Sequence, residues 1–337
     1  MIRNGSVVCN IIVQFCLLSA TAPSGAADYY QGKTFTIVVG STPGGGFDTV
    51  TRGIARHIGD HIAGRPTTIV QNIPGAGSLT AVRYLDATAP KDGTVMASFN
   101  AGLITQSIVE PDKVKIDFAK FDWIGVVSPE FVVCYGYGPT GVSSWDDMMG
   151  RKEFVLGATG FGAGNYLTAT TLREVFHAPV RVILGFPGDA ERRLAVQRGE
   201  LDGDCSAISS IPVEWLRDGK AHIFVRFTEE RTPEIPDSVP YIGSFAKSQE
   251  QEQLLELFSA GYRIGRPFVM ANQLPPDRVA EIRNAFVATM GDPAFRGDME
   301  KLQVPVIPLS GTAARDFIAK LSAFPPDIVA KARRFYE

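Results

Sequence analysis

The feature that most constrains the fold of this chain is a unit that occurs twice: an apolar strand, a glycine-rich turn and the start of a helix. It covers residues 36–48 (TIVVGSTPGGGFD) and residues 153–165 (EFVLGATGFGAGN). Around both copies, short β-branched or apolar runs alternate with longer segments of helical period, which is typical of an α/β protein with largely parallel sheets. Because ligands bind outside the carboxyl ends of strands in such sheets, the two turns are predicted to face each other across a cleft.

The first glycine turn has the chemistry of an anion site. A helix start exposes backbone N–H groups that have no partner within the helix, and the helix dipole favours negative charge there. Gly44, Gly45 and Gly46 are therefore predicted to approach an anion closely, with Asp48 placed to cap the helix. The turn is not a P-loop, since Gly46 and Phe47 stand where that motif has Lys and Ser or Thr. A single turn of this kind is as often purely structural as it is a ligand-binding site. Two such turns in matching contexts favour a ligand-binding site.

The first 27 residues have the layout of a secretory signal peptide. Arg3 precedes an apolar run over residues 7–20, and small residues follow up to Ala27. Cleavage is expected after Ala26 or Ala27, which predicts a periplasmic protein. An uncleaved anchor and a lipoprotein are the alternatives; the apolar run is interrupted and shorter than the roughly 20 residues that span a bilayer.

Charge and cysteine content narrow the function classes further. A formal net charge of −3 does not provide the basic surface that nucleic acids require. After removal of the signal, Cys134 and Cys205 are the remaining cysteines. They could form a disulfide in an oxidising compartment, but the sequence favours two buried free thiols.

Nothing in the sequence points to catalysis or to a bound metal. His57 and His61 have the spacing of zinc ligands, but Ile58 stands where a metalloprotease has its catalytic Glu, so the pair is interpreted as a solvated helix face. We expect no catalytic residue, no cofactor and no metal. The alternatives are an enzyme that uses Asp48 or Asp204 as a base, and a sensory receptor that docks onto a membrane kinase.

Together these segments resemble the solute receptors of tripartite tricarboxylate transporters, the TctC or Bug-type binding proteins. The resemblance extends along nearly the whole chain after the signal, and it depends on the order and spacing of several blocks. The matching blocks are residues 37–39, 43–48, 72–77, 90–94, 160–162, 199–202 and 231–240.

The resemblance implies an α/β, two-domain periplasmic binding protein of the Venus-flytrap, type II-like class, with an interdomain ligand cleft. The chain would cross between domains near residues 127–133 and 225–227. The implied division is a signal peptide at 1–27, a first domain at 28–128 and 227–337 with a helical end, and a second domain at 129–226. The helical end is expected to pack on the first domain.

The resemblance also implies how the ligand is held. Backbone amides and waters at two facing turns would bind a small carboxylate, either a di- or tricarboxylate or an aromatic acid. The protein would be a monomer that serves the membrane components of a tripartite tricarboxylate-type transporter. The expected ligand-binding residues are Gly44, Gly45, Gly46, Phe47, Asp48, Thr159, Gly160, Phe161, Gly162, Asn165, Phe186, Gly188, Asp204 and Ser206.

Three phenylalanines depart from the common pattern of these receptors. Phe47, Phe161 and Phe186 each occupy one of the implied site loops, where smaller or more polar residues are usual. One hypothesis is that they make an apolar pocket suited to an aromatic or longer aliphatic carboxylate. The alternative is that one or more of them point into the domain cores.

Overall fold

A computed structural model describes residues 29–160, 163–302 and 304–336 of the 337-residue chain. The predicted signal peptide lies outside the described residues. The strands, numbered along the chain, are β1 (Thr34–Val39), β2 (Thr67–Asn72), β3 (Val95–Ser98), β4 (Asp122–Val126), β5 (Val132–Tyr137), β6 (Phe154–Ala158), β7 (Val180–Leu184), β8 (Gly203–Ala207), β9 (Ala221–Arg226), β10 (Pro267–Met270) and β11 (Leu309–Ser310).

The helices connect these strands and continue beyond them. A π-helical turn at Thr171–Val175 extends the sixth helix. The α-helices are α1 (Gly46–His61), α2 (Leu79–Ala87), α3 (Gly102–Val109), α4 (Pro111–Val114), α5 (Trp145–Met149), α6 (Gly164–Thr170), α7 (Asp189–Gln197), α8 (Val213–Arg217), α9 (Gln249–Ile264), α10 (Pro276–Gly291), α11 (Pro293–Lys301), α12 (Gly311–Ser322) and α13 (Pro326–Arg333).

Two separate groups of strands divide the molecule. A six-stranded sheet has the order β11-β4-β10-β3-β1-β2, in which β1 is parallel to β2 and β3, and β10 is antiparallel to β3 and β4. A three-stranded sheet, β8-β5-β9, and a parallel pair, β6-β7, take their strands from residues 132–226. We call the part built on the six-stranded sheet the first lobe and residues 132–226 the second lobe. The mixed α/β fold class is confirmed; the domain boundaries stay a prediction.

The first sheet is covered on both faces, which explains its apolar sequence. Phe35, Ile37, Val38 and Val39 of β1 are all fully buried, as expected for an internal strand of a sheet with helices on both sides. The apolar stripe of α1 continues this core and meets α11, because Gly53 leaves room for the side chains of that helix.

The helical end of the chain packs differently from expectation. The helices α10, α11 and α12 pack on the first lobe, but α9 and α13 join the apolar core of the second lobe as well. Phe258 and Tyr262 of α9 lie in one buried cluster with Phe227, and Ile328 of α13 belongs to the same cluster. Both α9 and α13 therefore contribute to the apolar core of the second lobe.

A disulfide joins the central strand of the second sheet to an edge strand. Cys134 on β5 and Cys205 on β8 are directly opposed in the antiparallel pair, and their sulfurs are bonded. The expectation of two free thiols is therefore wrong. No local spacing marks this pair, because the cysteines are 71 positions apart and meet only through strand pairing.

The two histidines of α1 are also not a solvated helix face, so that interpretation is wrong. The Nε2 atom of His57 lies 3.1 Å from Asp298 Oδ2, and that of His61 lies 3.1 Å from Asp292 Oδ2. Asp292 is the N-cap residue of α11 and Asp298 lies within that helix, so the two contacts hold α11 against α1.

Within the described ranges, no helix has the length and apolar character needed to span a membrane.

Candidate functional site

The turn before α1 is shaped by glycine and braced by Asp48. Gly44 has φ +80°, a left-handed conformation that glycine adopts readily. Its N–H donates to Asp48 Oδ2 at 2.8 Å, and the N–H of Gly45 donates to Thr42 O at 3.3 Å. The N–H groups that follow, at Gly46 and Phe47, are in the first turn of α1 and have no partner within the helix.

Asp48 itself is an internal support rather than an exposed ligand group. It is buried, and its carboxylate accepts hydrogen bonds from Arg52 Nε at 3.0 Å and Asn72 Nδ2 at 2.8 Å, besides the Gly44 N–H. Burial alone would raise the pKa of Asp48, but the hydrogen bonds from Arg52, Gly44 and Asn72 outweigh it and hold the pKa below its ordinary value. The carboxylate is ionised at neutral pH and is fully used by the turn.

The second glycine turn, before α6, has the same internal bracing. The side-chain oxygen of Asn165 accepts from the Thr159 N–H at 3.2 Å, as Asp48 does from Gly44. The N–H of Ala163, which precedes the helix, donates to Gly160 O at 3.3 Å, as Gly45 does to Thr42. The expected site residues Phe161 and Gly162 lie outside the described residues.

One cavity of about 670 Å³ lies between the two lobes. From the first lobe, the start of α1 lines it; from the second lobe, the start of α7 lines it. Its lining comprises Thr42, Gly44, Gly45, Gly46, Thr49, Val50, Pro187, Gly188, Asp189, Ala190, Glu191, Arg193, Ser209, Ser210, Arg266, Leu302 and Val304.

Four of the residues expected from the sequence meet at this cavity. Gly44, Gly45 and Gly46 approach it from one side, and Gly188 from the other. The described lining does not include Thr159, Gly160 or Asn165, nor Ser206, which is half-buried on β8 opposite Val133. The binding role of every residue in this set stays a prediction.

The phenylalanines are distributed between core and surface. Phe186 packs against the apolar core of the second lobe, and its ring lies within 3.0 Å of where a Cβ on Gly157 would be. Phe47 is half-buried on the first turn of α1 and is not part of the described lining. The placement of Phe186 favours the core alternative for that residue.

Asp204 is held in a buried ion pair next to the cavity wall. Arg192 Nε and Nη2 donate to its two carboxylate oxygens, each at 3.1 Å, and both side chains are at most 2% exposed. Arg192 Nη2 also lies 2.7 Å from Oδ1 of the cavity residue Asp189. Burial raises the pKa of Asp204 to about 6, and the charge and hydrogen bonds of Arg192 limit the rise.

These contacts leave little support for a catalytic base. The carboxylates of Asp48 and Asp204, the two candidates, are both saturated by hydrogen bonds within the protein. In the part of the chain that the structure describes, no group of three or more His, Cys, Asp or Glu side chains is arranged to hold a metal ion.

Two arginines line the cavity, Arg193 and Arg266. Arg193 Nη1 donates to Ser210 O at 3.1 Å. Arg266 was not expected. It follows α9, lines the cavity, and is only 7% exposed. No local pattern marks it, because its position depends on how the chain returns from the second lobe to the first.

Comparison with known proteins supports a binding-protein fold. No family model matches the chain. A UPF0065 protein encoded in the TAR-I ttuE-ttuC' intergenic region of Agrobacterium vitis is 22% identical over 218 residues, which are 63% of this chain and 61% of that protein. The match thus spans about three fifths of the length of this curated relative.

Several solved structures match along almost their whole length. The periplasmic binding protein BugD has a TM-score of 0.68 and 19% identity, with 91% of this chain and 98% of that one covered. A TctC solute-binding protein from Polaromonas has a TM-score of 0.69 and 19% identity, with 90% and 99% covered. MatC from Rhodopseudomonas palustris, with bound malate, has a TM-score of 0.66 and 20% identity, with 90% and 99% covered.

These neighbours are solute-binding proteins, and the likeness covers about nine tenths of this chain, which includes both lobes. The resemblance inferred from the sequence blocks is therefore confirmed: the chain has the fold of the periplasmic solute-binding proteins of the TctC and Bug type.

Proposed function

We propose that this chain is a periplasmic receptor that captures a small carboxylate between its lobes and delivers it to a tripartite tricarboxylate-type transporter. The observation that carries the proposal is the cavity of about 670 Å³, which the starts of α1 and α7, one from each lobe, line together. This volume is within the usual range for small-molecule sites. The ligand makes contact with both lobes at once.

The electrostatics of the first-lobe turn support an anionic ligand. The free N–H groups at Gly46 and Phe47 and the positive end of the α1 dipole favour a carboxylate. Asp48, the acidic residue nearest to them, turns its carboxylate to Arg52 and Asn72 and is shielded from the ligand. The malate in the similar MatC structure supports the same ligand class.

The mechanism follows from contacts that only a closed molecule can make. In an open form, each lobe offers part of the binding surface. A carboxylate ligand has a higher affinity for the state in which both parts reach it, so binding shifts the population toward closure. The closed surface is what the membrane components of the transporter recognise, and no bond of the ligand is broken.

The disulfide supports export to an oxidising compartment. The Cys134–Cys205 bond would not persist in a reducing cytosol. With the predicted signal peptide over residues 1–27, this supports a periplasmic location, where a monomeric receptor serves the transporter. A sensory receptor for the same ligand is distinguished by its neighbouring genes, which would encode a membrane kinase instead of transporter subunits.

The test is a thermal-shift screen of residues 28–337 against malate, adipate, citrate and benzoate, with each acid assayed for consumption afterwards. A ligand at 100 times its Kd stabilises the folded state by about 2.7 kcal/mol, so a true ligand raises Tm clearly. A shift without consumption supports the receptor. Consumption of the acid favours an enzyme, and no shift with any acid contradicts the proposal.

A further inference from the structure

Arg266 lines the cavity next to the crossing between the lobes at residues 127–133. Its backbone N–H donates to Ser128 O, and its carbonyl accepts from the Val127 N–H, each at 3.3 Å. The preceding Gly265 has φ +53°, and a Cβ there would lie 2.2 Å from Ser128 O. These contacts hold the backbone of Arg266 against that crossing, at the wall of the cavity.

The guanidinium of Arg266 is poorly satisfied by the protein. Its Nη1 lies 3.4 Å from Ser128 Oγ, and its Nη2 lies 3.8 Å from Glu130 Oε1, which is too long for a good hydrogen bond. The Nε atom is buried and has no hydrogen-bond partner among the described residues. A buried cation in this state lacks the two parallel hydrogen bonds that arginine makes with a carboxylate.

The carboxylate of Glu130 makes only a weak ion pair with the Arg266 guanidinium. Burial raises the pKa of Glu130, and the nearby Arg266 does not fully offset the rise. The Asp189 carboxylate contributes to the same rise, although it is itself paired with Arg192. A carboxylate that enters the cavity therefore competes with a partner whose charged form is disfavoured.

We propose that Arg266 is the residue that makes this receptor select dicarboxylates. It holds one carboxylate of the ligand through its guanidinium, and the N–H groups at the start of α1 hold the other. Both groups line the same cavity. The inference rests on the proposed function and adds the ligand class and the residue that sets it.

The experiment measures Kd by calorimetry for acids matched in length but not in charge, adipate against hexanoate and succinate against butyrate. We expect the wild-type protein to prefer a dicarboxylate over its matched monocarboxylate by about 10- to 100-fold, as for a charge-assisted hydrogen-bond pair. Arg266→Gln is expected to abolish this preference. Arg266→Lys is expected to retain part of it, because lysine keeps the positive charge but cannot make two parallel hydrogen bonds to one carboxylate.

Two further variants separate binding from folding. Arg263→Gln removes an arginine of α9 that is outside the cavity lining and half exposed, and it is expected to keep the wild-type preference. Glu130→Gln removes the competing carboxylate and is expected to raise dicarboxylate affinity several-fold, which a purely structural Arg266 would not explain. This second readout applies even if Arg266→Gln fails to fold.

The outcomes distinguish the two proposals. If the wild-type protein binds acids but shows no preference for two carboxylates, or if Arg266→Gln keeps the preference, the role of Arg266 is wrong and the receptor function stands. If Glu130→Gln weakens dicarboxylate binding, competition at Arg266 is likewise contradicted. If the wild-type protein binds none of these acids or those of the broader screen, the receptor function fails as well.

Discussion

Asp48 shapes the α1 turn because its buried carboxylate accepts three hydrogen bonds, from Gly44, Arg52 and Asn72. Replacing it with Asn removes the charge and places an amide N–H₂ or a weaker acceptor opposite these donors. Because hydrogen bonds to a charged acceptor are lost at a buried position, we expect Asp48→Asn to lower the free energy of unfolding by about 1–3 kcal/mol. Urea denaturation measures this change.

The matched control is Asp60→Asn, an exposed acid on the same helix, which is expected to change stability by less than about 0.5 kcal/mol. Equal effects of the two substitutions would show that Asp48 does not support the turn. A second consequence concerns binding: since the N–H groups at the start of α1 lose their alignment, carboxylate affinity is expected to fall in Asp48→Asn and to remain in Asp60→Asn.

At the scale of single residues, the sequence predicted where the backbone turns better than it predicted what the side chains contact. Glycines mark positions where the chain must turn closely, and Gly44, Gly45, Gly46 and Gly188 do meet at one cavity. Local sequence patterns could not predict the surroundings of Asp204 and Phe186, because these depend on contacts with other elements. Asp204 pairs with Arg192, and Phe186 packs against the core of the second lobe.

Among the elements, α11 depends on a polar contact that responds to acid. The hydrogen bond from His57 and, next, that from Arg56 lower the pKa of Asp298 from 3.8 to about 2. A carboxylate with a lowered pKa stabilises the fold above its unfolded pKa, and this stabilisation is lost as pH falls through the folded value. We therefore expect Asp298→Asn to lower Tm near neutral pH, and the difference from wild type to shrink as pH falls from about 4 to about 2.

Asp316→Asn on α12 is the control for that measurement, because its carboxylate is 64% exposed and only loosely paired at 3.8 Å. It should leave Tm close to wild type at every pH. A difference between Asp298→Asn and wild type that stays constant down to the lowest pH would contradict the assigned role of the Asp298 charge.

The pairing of β5 with β8 is reinforced covalently. The Cys134–Cys205 bond closes a loop of 71 positions, and loss of a cross-link of this span typically costs about 2–4 kcal/mol, chiefly because the unfolded chain gains freedom. We expect the double substitution Cys134→Ala and Cys205→Ala to lower the free energy of unfolding by that amount in a denaturant titration. Reduced wild-type protein should behave like the double variant; if reduction has no effect, the bond does not contribute to stability.

For the molecule as a whole, sequence periodicity predicted most strands and helices because each lies within one continuous segment. Strands β1 and β6 lie at the start of the two strand–turn–helix units that the sequence indicates. What periodicity could not predict is contact between distant segments: the attachment of α9 and α13 to the second lobe, the disulfide, and the position of Arg266. Each of these depends on where the chain crosses between lobes.

The strand order of the first lobe has a consequence for the order in which the protein can assemble. Strand β4 pairs with β10 on one side and β11 on the other, and both are synthesised only after the whole second lobe. The three strands of the second sheet, in contrast, all come from one uninterrupted stretch of chain. A nascent chain can therefore pair all strands of the second lobe while both edges of β4 are still unpaired, although the apolar core of that lobe is completed only when α9 and α13 have been made. Pairing between such distant segments is intrinsically slow, and unpaired edges favour aggregation. The segment from residue 267 onward supplies both β10 and β11, so truncation before it would leave β4 without either of its neighbours in the first sheet.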